Sequence, residues 1–166
     1  MTGPSQHKIT IRAIAHGDNK TIATIIRAVL TEFGANKPGT VYFDPTTDDM
    51  FTLFATPGSH YFILEMDGQI AGGSGVFPTP GLPEGTCELV KLYLLPAARG
   101  RGNGKLLIET CIEKARELGY RQMYLETMPE LQMAMSLYER CGFEYLKGPL
   151  GESGHFGCGL WMLKML

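Results

Sequence analysis

The segment Arg99-Gly-Arg-Gly-Asn-Gly-Lys105 concentrates two arginines, three glycines and a lysine in a short stretch of the chain. It lies between an apolar run and a pattern typical of an amphipathic helix. The start of a helix leaves about four backbone N–H groups unpaired and carries a partial positive charge. Glycine lets a ligand approach the backbone closely. The segment therefore suits a phosphate or pyrophosphate group, although a plain strand-to-helix turn with solvated charges also explains it.

Two common phosphate-binding motifs do not match this segment. A P-loop requires Ser or Thr after its Gly-Lys pair, whereas Lys105 is followed by Leu106 and Arg99 stands where the first glycine belongs. The dinucleotide-binding fingerprint lies near the first strand of its domain. Here the glycines come only after the fourth predicted strand. Both motifs are excluded.

Length and composition indicate one globular domain spanning residues 1–166. A formal net charge of -2 argues against a broad nucleic-acid-binding surface. The chain has no run of about 18 apolar residues that would span a membrane, and its first residues lack the apolar part of a secretory signal. The four cysteines are too scattered for a disulfide framework or a metal site. We expect a cytoplasmic protein with reduced thiols, no metal and no membrane or nucleic-acid partner.

Hydrophobic periodicity predicts how this segment is positioned. Asp18 is predicted to cap the first helix, and Asp67-Gly68 to form a hairpin turn. The order is β-α-α-β-β-β-α-β-α-β-β, which indicates a mixed sheet with helices on both faces. The predicted strands cover residues 8–14, 60–66, 69–77, 87–95, 121–127, 143–150 and 155–166, and the predicted helices cover residues 18–34, 48–54, 103–118 and 129–141.

Two motifs resemble the acyl-CoA-binding signature of the GNAT family of acetyltransferases. The first is Arg-x-x-Gly-x-Gly at Arg99, Gly102 and Gly104, after a strand that ends in Leu-x-Pro. The second is SLYERCGFEYL at residues 136–146. The resemblance covers residues 8–147 in topology. It implies an α/β GNAT fold: a mixed, mostly antiparallel sheet of about six to seven strands, with a splayed parallel pair at residues 87–95 and 121–127.

The resemblance also implies acetyl-CoA as co-substrate. The backbone of the first splayed strand would pair with the pantetheine arm, and the amides of the glycine-rich turn would hold the pyrophosphate. The Leu94 N–H would stabilise the oxyanion formed on the thioester. The residues assigned to the cofactor are Leu92, Tyr93, Leu94, Arg99, Gly100, Arg101, Gly102, Asn103, Gly104 and Lys105.

By the same resemblance, Tyr138 is the acid that protonates the departing thiolate, against the alternative of a buried core aromatic. Glu88 is the candidate base, because a carboxylate is unusual in an apolar strand. It shares parity with Leu94, so both side chains face the cleft if the strand has no bulge. An exposed carboxylate or a partner for Lys91 remains the alternative. Many relatives carry Asn where this chain has Leu131, which leaves one contact of the family pattern unassigned.

The acceptor is the least determined part of the prediction. Tyr42, in an aromatic loop, and His155, in a glycine-rich tail, are the candidate substrate-binding residues. An ordinary loop and an ordinary hairpin explain them equally. The leading hypothesis is an N-acetyltransferase acting on a small-molecule or peptide amine, and a homodimer is compatible with it. The alternative is a non-catalytic module that senses acyl-CoA.

Overall fold

The computed structural model describes residues 6–166; residues 1–5, part of the start predicted to lack a secretory signal, lie outside it. One seven-stranded sheet has the order β1-β2-β3-β4-β5-β7-β6. The predicted order of strands and helices is confirmed. The strands are β1 (Ile9–Ala13), β2 (His60–Met66), β3 (Gln69–Phe77), β4 (Thr86–Leu94), β5 (Gln122–Thr127), β6 (Glu144–Leu146) and β7 (Leu160–Met165), and the helices are α1 (Asn19–Glu32), α2 (Met50–Leu53), α3 (Asn103–Glu117) and α4 (Gln132–Arg140).

Helices cover both faces of the sheet, as predicted. On one face, Ile22 and Ile26 of α1 pack with Tyr61 and Ile63 of β2. On the other face, α3 contributes a buried set to the core with β3, β4 and β5: Ile108, Cys111, Ile112 and Ala115. Both helices bury a stripe of residues three or four positions apart, which is the pattern of a helix packed on a core.

The only parallel strand pair in the described sheet is β4 with β5, and it is short. Its register covers Thr86 with Gln122, Cys87 with Met123 and Glu88 with Tyr124. Both strands continue beyond this point without pairing to each other: β4 stays paired with β3 as far as Leu94, and β5 stays paired with β7 as far as Thr127. The pair therefore opens into a cleft after Glu88, and the predicted splayed pair is confirmed.

A β-bulge interrupts β4 inside this cleft. Gly73 pairs with Tyr93, but Gly75 pairs with Val90, so β4 carries one residue more than β3 between these positions. Lys91 has a φ of 52°, in the left-handed region that non-glycine residues seldom adopt. The extra residue reverses the alternation of side chains along the strand.

The bulge corrects the predicted parity of Glu88 and Leu94. Tyr93 packs in the cluster on the α1 face together with Val90, whereas Leu92 and Leu94 pack on the α3 face. Because Glu88 and Val90 are two residues apart on the regular part of the strand, Glu88 shares its face with Tyr93 and not with Leu94.

Asp18 occupies the predicted N-cap position of the first helix, but its side chain makes no capping hydrogen bond to that helix. It ends a 3-10 turn (His16–Asp18), and α1 begins at the next residue. Its buried carboxylate accepts hydrogen bonds of 2.7 and 2.9 Å from the Arg12 guanidinium and one of 2.7 Å from the Ala15 amide. The bidentate ion pair prevails because charge-assisted hydrogen bonds are about twice as strong as neutral ones.

Several elements are shorter than predicted. Residues 129–131 form a 3-10 turn, and α4 begins only at Gln132. β6 ends at Leu146 and β7 begins at Leu160, so the segment 147–159 is a loop. This loop holds left-handed glycines at Gly151 and Gly154, which cannot continue an extended ladder. The loop 35–47, predicted as irregular, contains two 3-10 turns at its end. Across residues 6–166, every helix is too short or too polar to cross a bilayer.

Candidate active site

A cavity of about 740 Å³ occupies the cleft between β4 and β5. It brings together most of the residues that the sequence analysis singled out, although they come from distant parts of the chain. Tyr42, Arg101 and Asn103 are not among the residues that line it. The predicted residues that do line it are Glu88, Leu92, Tyr93, Leu94, Arg99, Gly100, Gly102, Gly104, Lys105, Tyr138 and His155.

The glycine-rich turn presents unpaired backbone donors at one end of this cavity. None of the six backbone N–H groups from Gly100 to Lys105 donates a hydrogen bond to another residue in the range 6–166. Gly100 and Gly102 have φ values of 71° and 81°, which glycine adopts without strain. A Cβ on either would have no atom within 4 Å, so the space above them is open. Such a row of free N–H groups at a helix start is able to bind an anion.

The basic side chains of the turn contribute less than the sequence suggested. The Arg99 guanidinium donates to the Leu94 carbonyl at 2.9 Å and to the Glu32 carboxylate at 3.1 and 2.6 Å. Arg101 is exposed and donates to the Ala97 carbonyl. Lys105 lines the cavity with a side chain that is 64% exposed. The backbone therefore supplies most of the preference for an anion, and Arg99 holds the turn against β4 and α1.

Asn103 has a structural position. Its side chain is buried and donates to the Ala98 carbonyl at 2.9 Å, which closes the turn before α3. Its amide remains one of the six free donors. The side chain thus fixes the orientation of the backbone that faces the cavity.

The end of β4 directs backbone groups into the cleft. The Leu95 amide donates to the Ala71 carbonyl of the β3 side at 2.8 Å. Because hydrogen-bonding direction alternates along an antiparallel strand, the backbone of Leu94 points away from β3, toward the open side. Its carbonyl is bound by Arg99, so its N–H is the group left to meet a ligand.

Glu88 lies where the two strands separate, and only 3% of it is exposed. Its Oε2 accepts a hydrogen bond of 2.7 Å from Thr79. Burial, together with the nearby charge of Glu126, raises the pKa of Glu88 to about 7, although the Thr79 hydrogen bond acts in the opposite direction. A carboxylate with such a pKa can accept a proton at neutral pH and release it again.

Tyr138 faces the same cavity from α4 and is 7% exposed. Its ring contacts Phe143 edge to face, with the centroids 6.0 Å apart. Within the described part of the chain, the Tyr138 hydroxyl makes no hydrogen bond. Burial raises the pKa of Tyr138 well above its ordinary value, with Cys158 and Cys141 adding to the effect. The phenol therefore stays protonated and can donate a proton into the cavity.

Sequence reasoning missed a charged cluster beside Glu88. Asp44 Oδ2 accepts a hydrogen bond of 2.8 Å from His155 Nε2 and lies 3.8 Å from Lys91 Nζ. Lys91 is buried inside β4, and Glu126 lines the cavity from β5. A lysine within the apolar run CELVKLYLL was the one available signal. The approach of Asp44 to His155, 111 positions apart, left no signal in the sequence.

The structure separates the two predicted acceptor residues. His155 lines the cavity. Tyr42 does not: its ring packs on Phe43 with centroids 4.9 Å apart, and its carbonyl accepts a hydrogen bond from Arg27. The 3-10 turn at Val41–Phe43 turns Tyr42 aside, so that its neighbours Val41 and Asp44 face the cavity instead.

Comparison with known proteins gives the family. Residues 26–143 match the model of the family described as "Acetyltransferase (GNAT) family". The chain belongs to the GNAT family of acetyltransferases. An uncharacterized N-acetyltransferase of Escherichia coli K12, YjgM, is 41% identical over 158 residues, which cover 94% of each chain. The predicted GNAT resemblance and the class of acyltransferase are confirmed.

Solved GNAT structures share the fold. An acetyltransferase of the GNAT family from Staphylococcus aureus Mu50 matches with a TM-score of 0.84 at 17% identity, over 95% of this chain and 99% of that one. A GNAT phosphinothricin acetyltransferase from Sinorhizobium meliloti, in complex with acetyl-CoA, matches with a TM-score of 0.73 at 23% identity, over 95% and 88%. The predicted fold class, a mostly antiparallel mixed sheet with one parallel pair, is confirmed.

Proposed function

We propose that this GNAT protein transfers the acetyl group of acetyl-CoA to a primary amine of a small molecule or peptide, by direct attack in a ternary complex. One observation carries the proposal: six free amides stand at one end of a cleft that also contains Glu88 and Tyr138. The acetyl-CoA complex of the S. meliloti protein supports the choice of donor.

The turn and β4 fit acetyl-CoA. The amides from Gly100 to Lys105 would hold the pyrophosphate, where open space above Gly100 and Gly102 admits it. The backbone of residues 92–94 would pair with the pantetheine arm, because β4 has no strand partner on its open side here. When bound, acetyl-CoA supplies an activated thioester.

Two side chains would handle the protons of the reaction. An amine with a pKa of about 10.4 is protonated at neutral pH and must lose a proton before it can attack. Glu88, with a pKa near neutral, would accept that proton. The Leu94 N–H would stabilise the oxyanion, and the protonated Tyr138 would donate to the departing thiolate.

The test has two stages, binding and turnover. Calorimetric titration with acetyl-CoA is expected to give one-to-one binding, and a thiol-release assay across amines is expected to show transfer. Tyr138→Phe should keep the acetyl-CoA affinity and lose about 100-fold in kcat. Absence of acetyl-CoA binding would overturn the proposal. Binding without transfer to any amine would instead support the acyl-CoA sensor.

A further inference from the structure

The cavity contains a group of charged side chains close to Glu88, and they differ in how many hydrogen bonds the protein already supplies. The group consists of Asp44, Glu88, Lys91, Glu126 and His155, all of which line the cavity. They are near enough that His155, Lys91 and Glu126 each alter the pKa of Glu88. A ligand can bind only to the capacity that these groups leave unused.

Asp44 is held by the protein on both oxygens: it accepts three hydrogen bonds and forms an ion pair with Lys91. Its Oδ1 accepts hydrogen bonds of 2.9 Å from the Thr46 amide and 2.7 Å from the Thr46 hydroxyl. Its Oδ2 accepts from His155 Nε2 at 2.8 Å. These contacts hold the pKa of Asp44 well below its ordinary value, with His155 as the largest cause. Asp44 therefore orders the loop next to the cavity and is not free to bind an acceptor.

Glu126 is engaged as well, whereas Glu88 is half free. Glu126 accepts from the Tyr124 hydroxyl at 2.7 Å on one oxygen and from Ser153 on the other. Glu88 accepts only from Thr79, through Oε2. In the described chain Glu88 Oε1 has no partner, and it is left to accept a hydrogen bond from the acceptor's ammonium group.

Lys91 is the cation with the most unused capacity. Its side chain is 4% exposed, and its ammonium forms an ion pair with Asp44 Oδ2 at 3.8 Å, a distance longer than that of a good hydrogen bond. A buried ammonium without hydrogen bonds is costly. Asp44 Oδ2 has room for at most one of the Lys91 N–H groups, so at least two of the three Lys91 donors are left for another anion.

We propose that Lys91 binds a carboxylate of the acceptor, so that the acceptor is a small amino carboxylate with its amine at Glu88 and its carboxylate at Lys91. The inference rests on the proposed function and names its substrate class. Glu88 and Lys91 lie three residues apart on β4, and the bulge lets both side chains enter one cavity. The free oxygen of Glu88 can bind the ammonium group of a zwitterion, and the Lys91 ammonium can bind its carboxylate.

The proposal sets a requirement on specificity. An amine without a carboxylate would bind Glu88 but leave at least two N–H groups of the buried Lys91 ammonium without a hydrogen bond, and that penalty disfavours it. A singly charged carboxylate suits the site better than a dianion, because the carboxyl groups of Asp44 and Glu126 line the same cavity and would repel additional negative charge.

The experiment compares free L-amino acids with the matching L-amino acid amides. Calorimetry on protein saturated with CoA, which cannot react, measures binding, and thiol release with acetyl-CoA measures kcat/KM. At least one free acid should exceed its amide by about 100-fold in both. Lys91→Met should remove most of that difference by weakening binding and turnover of the acid far more than those of the amide.

Contrary outcomes are separable from a failure of the proposed function. Loss of acetyl-CoA binding by the wild-type protein would overturn the function itself. Amides that equal or exceed their acids while CoA is bound would overturn only the role of Lys91, as would an equal loss for acid and amide in Lys91→Met. The acetyl-CoA affinity of the variant reports its folding, and the wild-type comparison of acid with amide requires no variant.

Discussion

The buried hydroxyl of Tyr61 donates a hydrogen bond of 2.8 Å to the backbone carbonyl of Lys91, at the bulge of β4. This contact joins the core beneath α1 to the residue that changes the direction of the strand. The glycines of β3 make room for it, since a Cβ on Gly73 would lie 2.7 Å from the Tyr61 ring and 2.4 Å from the Phe62 carbonyl. The core therefore determines the backbone geometry of the cleft.

Tyr61→Phe is expected to lower the free energy of unfolding by about 1–2 kcal/mol, because it leaves the buried Lys91 carbonyl without its donor. Denaturant unfolding measures the change. Tyr145→Phe is the matched control, since Tyr145 is 46% exposed and bonds only Glu139 at the surface. An equal effect of the two variants would contradict the supporting role of Tyr61.

Glu88→Gln is expected to lower kcat/KM about 100-fold or more, because the amide cannot accept the proton. In the wild-type protein the carboxylate is active when deprotonated, so kcat/KM should rise with pH and level off above about 7, the pKa of Glu88. The variant should lose that rise. A pH–rate profile tests both points, and a profile that the substitution does not change would remove Glu88 as the base.

The same substitution is expected to stabilise the fold at neutral pH. Burial raises the pKa of Glu88 from 4.5 to about 7 in the folded state, so the folded protein holds a proton that the unfolded chain has released. Stability is therefore lost as pH rises from about 4.5 to 7, by about 3 kcal/mol at most. Glu88→Gln should remove this loss while keeping the Thr79 contact.

Thermal unfolding of wild type and Glu88→Gln at pH 5 and pH 8 measures the effect. The melting temperature of the variant should exceed that of the wild type clearly at pH 8 and much less at pH 5. Glu84→Gln, at an exposed position, should show no such difference. A Glu88→Gln variant less stable than wild type at pH 8 would show that the carboxylate is not destabilised by burial.

Gly102→Ala is expected to weaken acetyl-CoA binding at least tenfold, because it strains a left-handed residue and places a methyl group above the free amides. Gly119→Ala is the matched control: Gly119 has a φ of 90° and likewise no atom within 4 Å of an added Cβ, but it follows the far end of α3. Both variants should lose similar stability. Calorimetry should show weaker binding for Gly102→Ala alone, and equal affinities would contradict the proposal that the amides from Gly100 to Lys105 hold the pyrophosphate.

Local patterns in the sequence were sufficient to predict the order of the elements and the glycine-rich turn before α3. Strands and helices have periods of two and 3.6 residues, and the turn before α3 needs glycine at two left-handed positions. The motifs of the turn and of α4 also brought Tyr138 into the prediction, which its helical spacing alone would have assigned to the core. These features depend on neighbouring residues, so the sequence records them.

The tertiary structure decided what the cleft contains. The bulge at Lys91 is supported by the hydrogen bond from Tyr61 and by the glycines of β3. Because of the bulge, the side chain of Glu88 lies on the same face of the sheet as Tyr93 and not on that of Leu94. The near-neutral pKa of Glu88 comes from burial. Asp44 and His155 come into contact only when the chain is folded. Asp44, and not the predicted Tyr42, lines the cavity from this loop. Burial and long-range contacts set the charge and free hydrogen-bonding capacity of each group, and no local pattern encodes them.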